Sequence, residues 1–139
     1  MAYRFAKRDD DAIKAFEKAI ALAPNDANIH FNLAVAYRRQ TVKNPDMLPK
    51  AIAEYETATT LEPGNAAGWF DLGFMYKQDH QNDKAIAAFN KYLELNKGKD
   101  AGGQKRIEDE VGALGGTPVT DAGKKPGGKA PAKKPAPKK

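Results

Sequence analysis

Apolar residues recur at helical spacing along most of the chain, and the clearest run lies in residues 66–99. Trp69, Leu72, Gly73 and Tyr76 fall at i, i+3, i+4 and i+7, one face of a helix. Glycine costs about 1 kcal/mol relative to alanine inside a helix, so Gly73 predicts close approach of a second backbone. A polar turn over residues 79–82 follows, with Asp83 placed to cap a second helix. Ala85, Ile86, Phe89, Tyr92 and Leu93 form the apolar face of that helix. Ala85 is expected opposite Gly73, and Phe89 beside Tyr76. A single helical hairpin cannot bury both of its faces, so the pattern predicts stacking on neighbours.

Weaker copies lie upstream. Ala12, Ile13, Phe16, Ala19, Ile20 and Leu22 repeat the second-helix pattern, and Pro24 ends it. Asp9, Asp10 and Asp11 precede this helix. They read as an N-cap with acids at the positive helix end, because three consecutive acids do not converge on one metal ion without other ligands. Tyr3 and Phe5 read as the remnant of a truncated first helix. Tyr3 to Tyr37 is 34 residues, whereas Ala12 to Ala51 and Pro24 to Pro63 are each 39. Five extra residues therefore sit between Tyr37 and Ala51, in a loop marked by Pro45 and Pro49, with Pro49 able to open the next helix. Downstream, Ile107, Val111 and Leu114 make a narrow stripe on a polar-backed helix that Gly102-Gly103 weaken at its start, so it is expected from about Gln104 and stopped by Gly115-Gly116. No side chain larger than alanine and apolar follows Val119, so the end of the chain reads as a disordered tail.

The spacing Trp69-x2-Leu72-Gly73-x2-Tyr76, followed by Ala85-x3-Phe89, resembles the tetratricopeptide repeat, a helix–turn–helix unit. The resemblance implies an all-α fold, an α-solenoid of antiparallel helix pairs. Residues 1–114 would form the repeat domain: a truncated repeat at 1–26, a lengthened one at 27–65, a standard one at 66–99 and a capping helix at 100–114. Residues 115–139 would be the tail. His30 stands where the family has Trp and Ala34 where it has Gly; Lys97 replaces the usual Pro, and Tyr92 a small Ala.

The same resemblance implies a protein–protein interaction scaffold that holds a partner segment in a concave groove. First-helix positions off the packing stripe would line it. In the second repeat these are Asn28, Phe31, Asn32, Val35, Arg38 and Arg39; in the third, Ala67, Phe70, Asp71, Phe74, Lys77 and Gln78. The alternative is that Phe31 and Phe74 only pack adjacent helices. Family members that clamp acidic chaperone C-termini carry lysine, asparagine and arginine at fixed groove positions. Asn32 matches that set, but Ala67 and Asp71 fall where a basic pair belongs, which disfavours that specialisation. The truncated repeat would leave Ile13, Phe16 and Ile20 uncovered, to be met by upstream residues or by another chain in a homo- or hetero-oligomer.

Charge divides the chain. Residues 115–139 hold seven lysines and one acid, a net +6, so the overall +5 leaves −1 for the rest. Lys124, Lys125, Lys129, Lys133, Lys134, Lys138 and Lys139 resemble linker-histone-type tails. They suggest an alternative function, non-specific binding of nucleic acid or an anionic surface. No aromatic residue lies among them to stack on bases. Cysteine and serine are absent, His30 and His80 stand in no ligand spacing, and Thr57, Thr59 and Thr60 have no paired base. An enzyme, a cofactor and a metal are therefore not expected. No apolar run reaches the length of a membrane span and the N-terminus lacks an apolar signal core, so the expected compartment is the cytoplasm.

Overall fold

Among the described residues six helices follow one another: α1 (Ala2–Leu22), α2 (Ala27–Gln40), α3 (Met47–Leu61), α4 (Ala66–Gln78), α5 (Asn82–Asn96) and α6 (Ala101–Ala113). The computed structural model describes residues 2–119, with side chains from residue 8 onward. Each helix packs on the next in the chain, giving an all-α solenoid with no strand among the described residues. The side chains of Tyr3 and Phe5, and Lys124, Lys125, Lys129, Lys133, Lys134, Lys138 and Lys139, lie outside the described residues.

Short polar residues set three helix starts. Asp26 Oδ1 accepts from the Asn28 N–H, Asn65 Oδ1 from the Ala67 N–H, and Asp100 Oδ1 from the Gly103 N–H, at 3.0, 3.0 and 3.1 Å. Each satisfies a donor that the first helical turn leaves without an intrahelical partner. The core runs unbroken from Leu33 and Tyr37 through Tyr55, Leu72, Phe89 and Leu93 to Ile107 and Val111. At its centre the ring of Phe89 lies against Gly73 so closely that a Cβ would overlap it. The tight neighbour of Gly73 is thus an aromatic ring, not a second backbone. In the preceding repeat Ala34 and Tyr55 take the corresponding places, and both are fully buried.

Four expectations change. Asp9–Asp11 do not cap a helix, because α1 runs through them from Ala2 to Leu22 with neither Gly nor Pro to break it. Asp9 instead lies 3.5 Å from Arg39 Nε, and Asp10 accepts from the Gln40 side-chain amide, tying α1 to the end of α2. Ile13, Phe16 and Ile20 are partly buried against the core, since α1 packs along α2. Helix α5 begins at Asn82, with Asp83 in its first turn; the reversal is made by His80, whose φ is 61°. Helix α6 begins at Ala101, three residues before the expected Gln104, because Asp100 caps it. Gly103 is needed there, for a Cβ would crowd the Tyr92 hydroxyl and the Asp100 carboxylate.

The end of the described chain is also held. Gly116 rests on Ile86, where a Cβ would clash. Asn90 Nδ2 donates to the Thr117 carbonyl at 3.1 Å, and its Oδ1 accepts from the Val119 N–H at 2.9 Å. Val119 is 6% exposed. Residues 115–119, expected to belong to a low-complexity tail, form a strap on α5.

Candidate interaction surface

Helix α2 carries six of the expected groove residues. Asn28, Asn32 and Arg39 are exposed, while Phe31, Val35 and Arg38 are half-buried. The Phe31 ring meets Tyr55 edge-on, with centroids 5.7 Å apart, so part of Phe31 serves packing between helices. Arg38 reaches the next repeat. Its charge acts on both Tyr55 and Asp71, and the Tyr55 hydroxyl donates to Asp71 Oδ2 at 3.2 Å. Burial raises the pKa of the Asp71 carboxyl, against the opposing pull of Arg38 and the Tyr55 hydrogen bond. Arg38 Nε is buried with no hydrogen-bond partner. Arg38, Tyr55 and Asp71 therefore form a partly desolvated charged floor between α2 and α4.

The α4 residues divide. Asp71 joins that floor, and Ala67 and Gln78 are exposed. Phe70, Phe74 and Lys77 instead meet α6. The Arg106 guanidinium stands 4.9 Å from the Phe74 centroid and 5.7 Å from that of Phe70. Lys77 Nζ pairs with Glu110 Oε1 at 2.6 Å. Phe70 and Phe74 also meet Tyr92 and Phe89 edge-on, with centroids 5.2 and 4.9 Å apart. The structure thus brings Arg38 and Asp71 together, sets Phe70 and Phe74 beneath Arg106, and leaves Lys77 exposed but paired with Glu110. Arg106 and Glu110 were not singled out in the sequence, because their charges look like the solvated back of α6.

A second set of polar contacts joins the repeats. The Tyr37 hydroxyl donates to Glu17 at 3.0 Å, and Tyr76 donates to Glu56, 39 residues further on in both members. His30 and Trp69 occupy matching places. Trp69 Nε1 donates to the Pro63 carbonyl at 2.8 Å, and His30 Nε2 lies 2.7 Å from the Pro24 carbonyl. His30 Nδ1 lies 2.6 Å from Glu54 Oε1. Burial opposes a charge on His30, but Glu54 and the Pro24 carbonyl outweigh it and raise its pKa above 6.5. Trp69 is half-buried.

Among the described residues no three His, Asp or Glu side chains are placed to hold a metal ion, and no helix is long and apolar enough to cross a membrane. Residues 2–40 match the family described as TPR repeat, and residues 54–87 that described as Tetratricopeptide repeat. Mouse protein O-mannosyl-transferase TMTC1 is 36% identical over 84 residues, 60% of this chain and 9% of that protein. The chloroplastic tetratricopeptide repeat domain-containing protein PYG7 of Arabidopsis thaliana is 34% identical over 67 residues, 48% of this chain and 21% of its own. The chain therefore spans a small part of the length of these curated relatives. Two solved structures share the fold. The type III secretion translocator chaperone SycD of Yersinia enterocolitica has a TM-score of 0.67 at 18% identity, covering 81% of this chain and 75% of its own. The TPR2B domain of yeast Sti1, in complex with pHsp70, has a TM-score of 0.63 at 19% identity, covering 81% and 86%.

Proposed function

This chain belongs to the tetratricopeptide repeat family, and from that premise we propose that it is a protein–protein interaction scaffold whose α2 face holds a segment of a partner protein. The observation that carries this reading is the makeup of that face. Asn28, Asn32 and Arg39 stand exposed beside half-buried Phe31 and Val35, over the charged floor of Arg38 and Asp71. Polar groups that can bond a peptide backbone thus flank apolar surface that a side chain can cover. The corresponding α4 residues Phe70, Phe74 and Lys77 would contribute only at the edge of α6. That the Sti1 domain was solved with pHsp70, and that SycD is a translocator chaperone, supports a protein as the ligand class. The reading is non-enzymatic: the match to the mouse transferase makes up 9% of that protein.

A photo-crosslinking residue at Asn32 tests it. Crosslinks to a protein partner should form there, disappear on Arg39→Glu, and be absent from the same residue at Val42, an exposed loop position. Equal yields at Asn32 and Val42 would sink the α2 assignment. The partly buried face of Ile13, Phe16 and Ile20 is where a second chain would add, as a homo- or hetero-oligomer. A second reading rests on the tail, whose seven lysines against one acid favour non-specific attraction to nucleic acid or another anionic surface.

A further inference from the structure

A cleft of 650 Å³ opens between α3 and α5, and none of the expected groove residues lines it. Trp69 and Tyr76 of α4 form its floor. Its α5 wall presents Lys84, Ala88 and Lys91, at i, i+4 and i+7 on one helix face. The two lysines are rooted about 10 Å apart along the helix, with a notch between them where Ala88 adds almost no bulk. The cleft lining holds these two cations and no acid. Lys84 Nζ stands 5.7 Å from the Tyr76 ring centroid. Lys91 has Glu94 as an ion-pair partner, but at 3.9 Å and with both side chains substantially exposed, so water screens the pair.

The preceding repeat holds a different side chain at this place. Ala88 precedes Phe89 as Glu54 precedes Tyr55, so Ala88 stands where the second repeat has Glu54. The Glu54 carboxylate lies on His30, the residue at the Trp69 position. In the second repeat an acid thus lies against the ring that corresponds to Trp69. The third has exchanged that acid for a methyl group and added Lys91 one turn later, where the second repeat has Thr57. Trp69 spends its single N–H on Pro63, so the indole offers the cleft an apolar surface and no donor.

We propose that this cleft binds an acidic segment of a partner protein, with an apolar side chain on Trp69 and a carboxylate on each of Lys84 and Lys91. In an extended chain, residues i, i+2 and i+4 share one face and span about 13 Å, a distance two lysine stems rooted in α5 can bridge. The lysine-rich tail of this chain has the wrong sign to be the occupant. The site is separate from the α2 face and stands or falls independently of it.

The chain contains one tryptophan, so its fluorescence reports directly on the cleft. The probe is acetyl-Glu-Ala-Leu-Ala-Glu-amide, titrated into the full-length chain. It should shift Trp69 emission saturably. The Gln-Ala-Leu-Ala-Gln counterpart should bind at least about tenfold more weakly, as should the acidic peptide to the Lys84→Glu/Lys91→Glu variant. That variant should instead bind acetyl-Lys-Ala-Leu-Ala-Lys-amide, which shows that its fold is intact. Three results would overturn the proposal: equal binding of the Glu and Gln peptides, binding unchanged in the double variant, or loss of binding in Arg39→Glu, which would move the peptide to the α2 face.

Discussion

His30 and Trp69 reach the same acceptor from two different rings: each points a ring nitrogen at the carbonyl of the proline six residues earlier, at 2.7 and 2.8 Å. The indole stops there, with one N–H spent. The imidazole goes on to Glu54 at 2.6 Å. A carbonyl and a carboxylate are both acceptors, so only the doubly protonated ring donates to both.

The first prediction follows from that charge. The folded pKa of His30 is raised above 6.5, so its contribution to stability is complete below about 6.5 and is lost as pH rises through the folded value. Urea midpoints should therefore fall on going from about pH 6 to about pH 8.5. His30→Trp should keep the Pro24 bond, drop the one to Glu54, and flatten this slope. A slope unchanged by the substitution would place the titrating group elsewhere.

The same change at two glycines should have opposite signs. Gly73→Ala drives a methyl into the Phe89 ring and should cost about 1–3 kcal/mol despite the gain in helix propensity. Gly112→Ala meets open space within α6 and should stabilise by about 0.4–1 kcal/mol. Thermal melts of the two variants decide it, and a neutral Gly73→Ala would show that Phe89 can move aside.

Removing the lid over the α4 aromatics should expose them. Arg106 covers Phe70 and Phe74 at the distances of cation–π contacts. Arg106→Ala should lower stability by about 0.5–1 kcal/mol and increase binding of a hydrophobic dye. Dye fluorescence equal to that of the parent would mean that α6 shields the rings without its arginine.

Tyrosine titration should lag. Burial, then its bond to Glu17, pushes the Tyr37 hydroxyl up to about 12. Burial likewise raises Tyr55, Tyr76 and Tyr92, with Asp71, Glu56 and Asp100 adding to it respectively. These groups favour the folded state below their unfolded pKa of about 10 and lose that advantage as pH rises through the folded values. Tyrosinate absorbance should therefore rise together with loss of helical circular dichroism. Ionisation of four tyrosines ahead of unfolding would contradict the buried hydroxyls.

Deleting residues 120–139 separates the second functional reading from the first. Salt-sensitive retention on an immobilised polyanion should vanish if the tail lysines supply it, while capture through Asn32 should survive. The cut belongs after Val119, because residues 117 and 119 are bonded to Asn90.

Much of the fold was legible because helical spacing is a local signal. Trp69 through Phe89 announced a hairpin, and Gly73 announced a tight contact. That the contact is the Phe89 ring was not legible, since spacing carries no side-chain direction. Asp9–Asp11 misled because local propensity favours aspartate at a cap, whereas here no Gly or Pro breaks the helix and Arg39 and Gln40 of α2 meet Asp9 and Asp10 within it. Gly102 and Gly103 misled in the other direction: they look like breakers, yet Tyr92 and Asp100 need the space at Gly103. The α2 face could be listed from the repeat pattern. The cover over Phe70, Phe74 and Lys77 could not, because it depends on Glu110, 33 residues from Lys77. The cleft on α5 was hidden for a subtler reason, the absence of one carboxylate at Ala88.

Each helix packs chiefly on its neighbours in the chain, so little joins one end of the molecule directly to the other. Pulled from its termini, such an array yields hairpin by hairpin, and the order depends on how each end is fastened. Among the described residues helix α1 packs chiefly on α2, to which Asp9, Asp10 and Glu17 fasten it. Helix α6 is held on α5, reaches α4 through Arg106 on Phe74 and Glu110 on Lys77, and is followed by the strap that Asn90 holds. The protein is a spring whose first coil is fastened to one neighbour and whose last is fastened to two, and force should unwind it from the N-terminal side.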